Sequence, residues 1–314
     1  MNIVVGMKEE IIDYNMSDVN SFSKLLDRME KGWGFEASQL AKAYKIILEM
    51  VKDKECVKFL SLTANLVSTG LRGVIAEMIR KGLCDVIITT GGTFDHDIAK
   101  SISKYYRGEF LMDDRDLKKR GIHRLGNILI PQGSYGLVIE SFTIRMLKEI
   151  TLEKKSFSSR ELAEEVGKRL DDENSILHSA YEKKVPVFTP GIVDSAFGTQ
   201  LFIYSQTNDF SLNLLKDMKE LSDIVFSSKK TGAIILGGGI SKHHTIWWNQ
   251  FKGGLDYVVS LTTACEFDGS LSGARLEEAI SWNKIREDAS IALVHADVTI
   301  ALPIILAAVY EKIG

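Results

Sequence analysis

Short apolar runs rich in β-branched residues alternate with amphipathic stretches along most of this chain, and this pattern constrains the fold most strongly. The runs have the length of buried strands, and the stretches between them repeat apolar residues at helical spacing, as in 37–53 and 137–150. This alternation predicts an α/β fold with a doubly wound, mostly parallel, Rossmann-like sheet and helices on both faces. The candidate strands are 57–62, 85–89, 185–189, 233–236, 257–261 and 292–295.

Composition and charge narrow the class of protein. The 314 residues carry a formal net charge of −3 without a basic run, which argues against a nucleic-acid partner. The three cysteines are far apart and form no CxxC pair, so neither a zinc site nor a disulfide framework is expected. The apolar run 300–310 is too short to span a bilayer, and the N-terminus lacks the apolar core of a signal peptide. We therefore expect a cytoplasmic protein without a membrane partner or a resident metal.

Small and polar residues follow each predicted strand at the point where it ends. In an open parallel sheet these ends meet at one edge, where ligands bind, and small residues beside helix N-termini suit the phosphates of a dinucleotide. There is no GxGxxG, the glycine triplet can equally be a tight turn, and Asp194 and Asp297 can equally be helix caps. The residues concerned are Thr63, Ala64, Asn65, Thr90, Gly91, Gly92, Asp194, Gly237, Gly238, Gly239, Thr263 and Asp297.

Residues 263–284 combine acids, small residues and a tryptophan two positions before a lysine. Acids bind cations, and a lysine beside an aromatic plane and other cations can lose its proton and become a nucleophile. The stretch therefore indicates an amine-handling site with Lys284 as a covalent residue. The ordinary alternatives are that Trp282 is a core aromatic and Lys284 a solvated surface charge.

Other polar groups also have ordinary explanations. His243 and His244 are neighbours, so at most one of them can face a ligand from a helix. His96 lies between two acids, which could suggest a metal, but acids near a helix start are explained by the helix dipole. The charged patch 113–120 lies in a less regular segment, 108–135, and is expected to be a solvated insertion.

Several of these segments match a known family, and from residue 59 to the end the chain resembles deoxyhypusine synthases. The pair of segments at 266–270 and 278–284, at that separation, is highly specific. The matching segments are TANLVSTG at 63–70, TTGG at 89–92, RLGN at 124–127, ILGGG at 235–239 followed by KHH at 242–244, EFDGS at 266–270 and EAISWNK at 278–284.

The resemblance implies a doubly wound NAD-binding domain, predicted over residues 56–314, and a homotetramer with active sites at subunit interfaces. Residues 1–55 match less clearly and are predicted to be an N-terminal helical extension packed on that domain. The implied reaction moves the aminobutyl group of spermidine onto one lysine of the precursor of translation initiation factor 5A. NAD would take a hydride from spermidine and return it later, and a lysine of the enzyme would hold the four-carbon fragment as an imine.

Matched position by position, the resemblance makes Lys284 the covalent lysine, which must be unprotonated to react. It assigns one set of residues to the polyamine and another to NAD. The polyamine set is Asp95, His96, His243, Gly269, Ser270, Glu278 and Trp282. The NAD set is Asn65, Ser68, Thr90, Gly91, Gly92, Asp194, Gly238, Thr263, Ala264 and Asp297.

The polyamine pocket departs from the family pattern at three places. The acid pair after the TTGG segment is Asp95-His96 here, an acid five residues after Asp194 is Thr199, and an Asn after the histidine pair is Trp247. Two alternatives therefore stand beside deoxyhypusine synthase. One is an aminobutyl transferase that acts on a free diamine, like homospermidine synthase, and the other is a non-catalytic NAD-binding scaffold.

Overall fold

A computed structural model describes residues 9–313, and the predictions made for residues 1–8 lie outside this range. Most of the predicted strands are present, several of them longer than predicted. The strands, numbered along the chain, are β1 Cys56–Leu62, β2 Val86–Thr90, β3 Tyr106–Arg107, β4 Ile122–Leu125, β5 Ile128–Pro131, β6 Ser156–Phe157, β7 Val187–Gly191, β8 Ser211–Leu212, β9 Lys230–Leu236, β10 Leu255–Thr262 and β11 Ile285–His295.

The central sheet of the described chain has the strand order β11-β10-β9-β1-β2-β7, and every neighbouring pair is parallel. The chain moves outward from β1 to β7, returns to β9 beside β1, and then moves outward on the other side to β11. Strand order thus reverses between β1 and β9, which is the switch point where open α/β sheets bind ligands. The predicted doubly wound parallel sheet is confirmed.

Helices cover both faces of this sheet. The helices of the described residues are α1 Phe22–Gly32, α2 Phe35–Lys52, α3 Leu71–Arg80, α4 Gly91–Ile102, α5 Asp114–Lys119, α6 Gly136–Ile150, α7 Ser159–Arg169, α8 Ile176–Lys183, α9 Ala196–Ser205, α10 Leu214–Ser227, α11 Gly239–Asn249 and α12 Val298–Ile313. Ser158 and Glu161 form the predicted capping box of α7.

Successive side chains of the central strands enter two different hydrophobic cores, because side chains alternate between the faces of a sheet. Leu60 of β1 packs into the core formed with α2, α3 and α12. Its neighbour Phe59 packs into the second core, on the face covered by α10 and α11. Both strand residues are fully buried. This second face carries the candidate amine site.

The first two helices share the larger core instead of forming a separate body. Leu26, Ile47 and Met50 are fully buried within it. The carboxylate of Glu311 at the end of α12 accepts hydrogen bonds from Phe22 N and Ser23 N, at 2.9 and 3.0 Å. This contact ties the N-terminus of α1 to the last helix, while the domain boundary after residue 55 stays a prediction.

Two segments differ from the sequence prediction. Residues 108–135 contain ordered structure, because β4 and β5 form a small antiparallel sheet with the preceding β3, and α5 is capped by Asp113. The charged patch is therefore the exposed surface of a capped helix, and Arg124 pairs with Asp114 at 2.6 Å. Strand β7 was expected to stop before Pro190 but includes Pro190 and Gly191, which is possible because β7 is an edge strand. Within residues 9–313, no helix is both long enough and apolar enough to cross a bilayer.

Candidate active site

The residues predicted to hold a dinucleotide follow the carboxyl ends of the central strands, and all of these ends lie at one edge because the strands are parallel. Neighbouring turns are close together. A Cβ atom at Gly92 would lie 2.9 Å from Ala64 Cβ, and one at Gly237 would lie 2.8 Å from Thr63 Oγ1. The structure therefore brings the turns after β1, β2 and β9 together at the switch point.

Most of the polar members of this set face solvent at that edge. Asn65, Asp194, Thr263 and Asp297 are exposed, whereas Ser68 is buried and donates its hydroxyl to Asn65 O at 2.6 Å. Asp297 accepts a bond from Thr299 N at 2.8 Å, so it serves as the cap of α12. The cap of α9 is Ser195, which leaves the exposed Asp194 without that structural role.

Asp95 and His96 lie on α4 and are both buried. The Asp95 carboxylate accepts bonds from Ala196 N, Phe197 N and the Tyr135 hydroxyl, at 2.9, 2.8 and 2.9 Å, and so fastens the start of α9. His96 Nδ1 lies 3.0 Å from the Tyr105 hydroxyl, and burial lowers the pKa of His96 to about 4. Neither side chain lies in the wall of the cavity of about 200 Å³ that opens beside Lys284, and their assignment to the polyamine stays a prediction.

The chain between β10 and β11 must return from the carboxyl edge of the sheet to the amino edge, and it does so without an α-helix. It uses two 3₁₀ segments, Glu266–Asp268 and Leu276–Trp282. Gly269 and Ser270 lie exposed on this crossover. Lys284 is its last residue, and Lys284 O accepts a bond from Leu255 N at the start of β10, at 3.1 Å. The Lys284 backbone is therefore at the amino end of β11, opposite to the end that leads into Asp297.

Lys284 is 9% exposed, so it is not a solvated surface charge. Its ammonium nitrogen lies 5.2 Å from the centre of the Trp282 ring and 5.8 Å from that of Trp247, within the range of cation–π attraction. The ring of His243 stacks on Trp247 with centroids 5.5 Å apart. Lys284 thus lies between two indole rings and beside an imidazole.

A cavity of about 200 Å³ opens beside this lysine. Of the predicted polyamine set, it brings together His243, Glu278 and Trp282, while Gly269 and Ser270 lie outside its wall. The side chains that line it come from α11 and from the crossover. They are Lys242, His243, Ile246, Leu271, Ala274, Arg275, Leu276, Glu278, Ala279, Trp282 and Lys284.

The two neighbouring histidines point to different places, as expected from their spacing. Burial and the positive charge of Lys284 lower the pKa of His243, which keeps its imidazole neutral near pH 7. His244 accepts a bond from Trp248 Nε1 at 3.2 Å, and burial lowers its pKa to about 4. His243 is therefore the imidazole available to the cavity, and His244 has a packing role.

Sequence reasoning did not place Lys242 or Trp247 in the site. Lys242 belongs to the matched KHH segment, but a buried lysine cannot be told from an exposed one by sequence. Trp247 was noticed only as a departure from the family, and its spacing of four from His243 was the available signal. Thr199 is exposed, and its hydroxyl donates to Ser195 O at 2.9 Å. Across residues 9–313, no three His, Cys, Asp or Glu side chains come together as a potential metal site.

Comparison with known proteins gives one consistent family. The model of the family described as deoxyhypusine synthase matches residues 24–309. A protein of Sulfurisphaera tokodaii named probable deoxyhypusine synthase is 54% identical over 300 residues, covering 95% of this chain and 96% of its own. A protein of the same name from Ignicoccus hospitalis is 51% identical over 319 residues, covering 100% of this chain and 99% of its own.

Among solved structures, one provisionally described as a deoxyhypusine synthase from Entamoeba histolytica has the same fold. It has a TM-score of 0.65 and 20% identity, covering 96% of this chain and 97% of its own. Together with the sequence relatives and the family match, this leads to one conclusion. The chain belongs to the deoxyhypusine synthase family of transferases.

Proposed function

We propose that this protein transfers the aminobutyl group of spermidine, through an imine on Lys284, to a lysine of the precursor of translation initiation factor 5A. The observation that carries the proposal is the buried Lys284, whose ammonium lies between Trp247 and Trp282 at the wall of a small cavity. A covalent lysine needs such a place, because exclusion of water protects an imine from hydrolysis.

The carboxyl edge of the sheet fits the NAD that this reaction requires. Helices α4, α11 and α12 begin at this edge, and helix N-termini attract phosphate oxygens. Asn65, Ser68, Thr90–Gly92, Asp194, Gly238, Thr263, Ala264 and Asp297 are the residues that would hold the dinucleotide. When bound, NAD would accept a hydride from the carbon next to the secondary amine of spermidine and later return it, so that no net oxidation occurs. Because the Lys284 backbone lies at the opposite edge of the sheet, the nicotinamide beside the Lys284 cavity would come from a neighbouring subunit, as in the subunit-interface site that the family resemblance implies.

The residues around Lys284 have separate tasks in this scheme. Glu278, exposed at the cavity, binds a terminal ammonium of the polyamine, and the indole of Trp282 covers the chain beside it. His243, neutral near pH 7, accepts a proton when the Lys284 amine adds to the oxidised carbon. Breaking the old carbon–nitrogen bond releases 1,3-diaminopropane and leaves the four-carbon fragment on Lys284. The acceptor lysine then displaces Lys284, which regains its amine.

We also propose a homotetramer in the cytoplasm. The support for contacts between subunits is an apolar surface that comprises Val193 before α9 and Phe202 on it, exposed by 64% and 63%. Side chains of this size that remain exposed in a single chain commonly mark contacts between subunits.

A second candidate is transfer to a free diamine. Trp247 and Leu271 give the cavity region aromatic and apolar surface, and Glu278 is the one carboxylate among the described residues that line the cavity. A pocket with few carboxylates holds a tricationic substrate less firmly, so a shorter amine becomes a competing substrate.

The test is to incubate the protein with labelled spermidine and NAD, reduce with borohydride, and map the adduct by mass spectrometry. We expect a four-carbon adduct on Lys284 that Lys284→Ala abolishes, and that Lys229→Ala, at an exposed ion pair with Glu55, retains. Label reaching the factor precursor supports the main proposal, and label reaching putrescine supports the second candidate. An adduct that persists in Lys284→Ala, or no diaminopropane release, refutes both.

A further inference from the structure

Lys242 of α11 is a lysine with a fully enclosed side chain, only 2% exposed. Its Nζ donates to Ala274 O at 3.0 Å and lies 3.5 Å from Ser272 O, so both contacts are with the crossover that leads to Lys284. Burial lowers the pKa of Lys242 to about 8, and Glu278 opposes that shift. Enclosing an amine is costly unless its donors are satisfied, and here the crossover carbonyls satisfy them.

The same stretch of the crossover is held at a second point. Ser272 Oγ accepts a bond from Gly239 N at 3.0 Å, at the start of α11. A side chain at Gly238 would collide with Ser272, and one at Gly273 would collide with the backbone of Cys265. Residues 270–275 therefore have little room to move against the glycine turn.

We propose that Lys242 is a positioning residue, which holds residues 270–275 in the conformation that forms the cavity wall opposite α11. The inference rests on the proposed function, because it concerns how this cavity receives a polyamine. Leu271, Ala274 and Arg275 belong to that wall, and the chain continues directly into Glu278. Lys242 thus acts through the wall, with its ammonium already engaged by backbone carbonyls.

Lys242→Met keeps the length and burial of the side chain and removes its donors. We expect the spermidine concentration that half-saturates adduct formation on Lys284 to rise about tenfold. The reason is that each lost bond from a charged donor leaves residues 270–275 less firmly held in the conformation that forms the cavity wall. The maximum rate should fall less. A merely structural defect would have the opposite signature, since a smaller folded fraction lowers the maximum rate and leaves half-saturation unchanged.

A matched control removes the same kind of contact elsewhere. Lys252 Nζ donates to Ser228 O and Lys229 O at 2.8 and 3.1 Å, away from the cavity wall. Lys252→Met should leave half-saturation unchanged. Should Lys242→Met fail to fold, Ser272→Ala tests whether the same crossover segment must be held against α11, because it removes the acceptor for Gly239 N.

Hydrogen exchange of the amides of 270–276 gives a readout that needs no substrate. We expect faster exchange there in Lys242→Met and Ser272→Ala, and wild-type rates in Lys252→Met. Unchanged exchange and unchanged half-saturation in a folded Lys242→Met or Ser272→Ala overturn the inference, as does an adduct mapped to Lys242. A wild-type protein that forms no adduct refutes the proposed function instead, while the exchange result still decides the role of Lys242.

Discussion

Lys284 and Trp282 are two residues apart, and the Lys284 ammonium lies 5.2 Å from the centre of the Trp282 ring. The turn between them passes through Asn283, whose φ of 55° is in the left-handed region that Asn tolerates. This local turn places one of two indole rings beside the Lys284 ammonium. The second ring, that of Trp247, belongs to α11, which precedes β10 in the chain.

Replacing Trp247 tests the contribution of the second indole ring beside Lys284. Trp247→Ala should lower the maximum rate of adduct formation on Lys284 about 3- to 10-fold, because the lost cation–π contact, worth about 1 kcal/mol, helps to hold the Lys284 side chain in place. Trp247→Phe should give a smaller fall. The measurement is adduct formation on Lys284 over a range of spermidine concentrations, with the exposed Trp33→Phe as control. Equal maximum rates in Trp247→Ala and wild type would show that the ring has no part in positioning Lys284.

Asp97 should be among the least replaceable residues for stability. It is fully buried, pairs with Arg72 Nε at 2.6 Å, and accepts bonds from the Ser175 hydroxyl and Leu177 N, both at 2.8 Å. Asp97→Ala should lower the free energy of unfolding by about 3–5 kcal/mol, because it leaves a buried cation short of a partner.

Urea denaturation measures this effect. The comparison is Asp223→Ala, which breaks the exposed pair with Lys219 at 3.2 Å and should cost less than about 1 kcal/mol. Similar losses in the two variants would contradict the structural role of Asp97.

Stability should fall in mild acid because two histidines are buried in the neutral form. Burial lowers the pKa of His96 and His244 to about 4, below the ordinary value of 6.5. These two histidines do not lower the free energy of unfolding above pH 6.5. As the pH falls from 6.5 toward 4 the free energy of unfolding decreases, because in that range their imidazoles bind protons in the unfolded chain and stay neutral in the folded protein. The decrease is at most about 3 kcal/mol for each histidine.

His244→Gln keeps an acceptor for Trp248 and removes the titration. Its melting temperature should therefore depend less steeply on pH between 6.5 and 4 than that of the wild type. A variant with the same pH dependence as the wild type would show that His244 does not titrate in this window.

Gly238→Ala should displace the crossover at Ser272. The added Cβ would lie 2.5 Å from Ser272 Cβ and 2.7 Å from Ser272 Cα, so the crossover backbone must shift. We expect a loss of about 1–3 kcal/mol in the free energy of unfolding, together with slower adduct formation. Gly136→Ala, where nothing lies within 4 Å, should be neutral in both measurements.

The sequence predicts the central sheet well because its buried strands are apolar and end in small or polar turns. It underestimates β11, which begins at Ile285, since the exposed Arg286, Glu287 and Asp288 do not resemble a buried strand. It places helix starts near His96 and Asp194 but predicts no range for α4, which begins with two glycines, or for α9, whose apolar residues include the exposed Phe202 and Ile203. In these cases tertiary contacts override local preference.

The sequence likewise predicts one part of the candidate site and not the other. Glu278, Trp282 and Lys284 lie within seven residues of each other, so their spacing and the family resemblance identify them together. Trp247 contacts Lys284, and Lys242 lines the same cavity, from a helix about forty residues earlier. No local pattern reports that approach, because it depends on how the crossover packs on α11.

The strand order has a consequence for biosynthesis. Phe59 of β1 pairs with Ala233 of β9, so the centre of the sheet joins segments far apart along the chain. A ribosome must release about three quarters of the polypeptide before this pairing can form, and until then one side of β1 presents free amide and carbonyl groups. We therefore expect nascent chains that end before β9 to depend on chaperones, and refolding to be slow because distant segments must meet first.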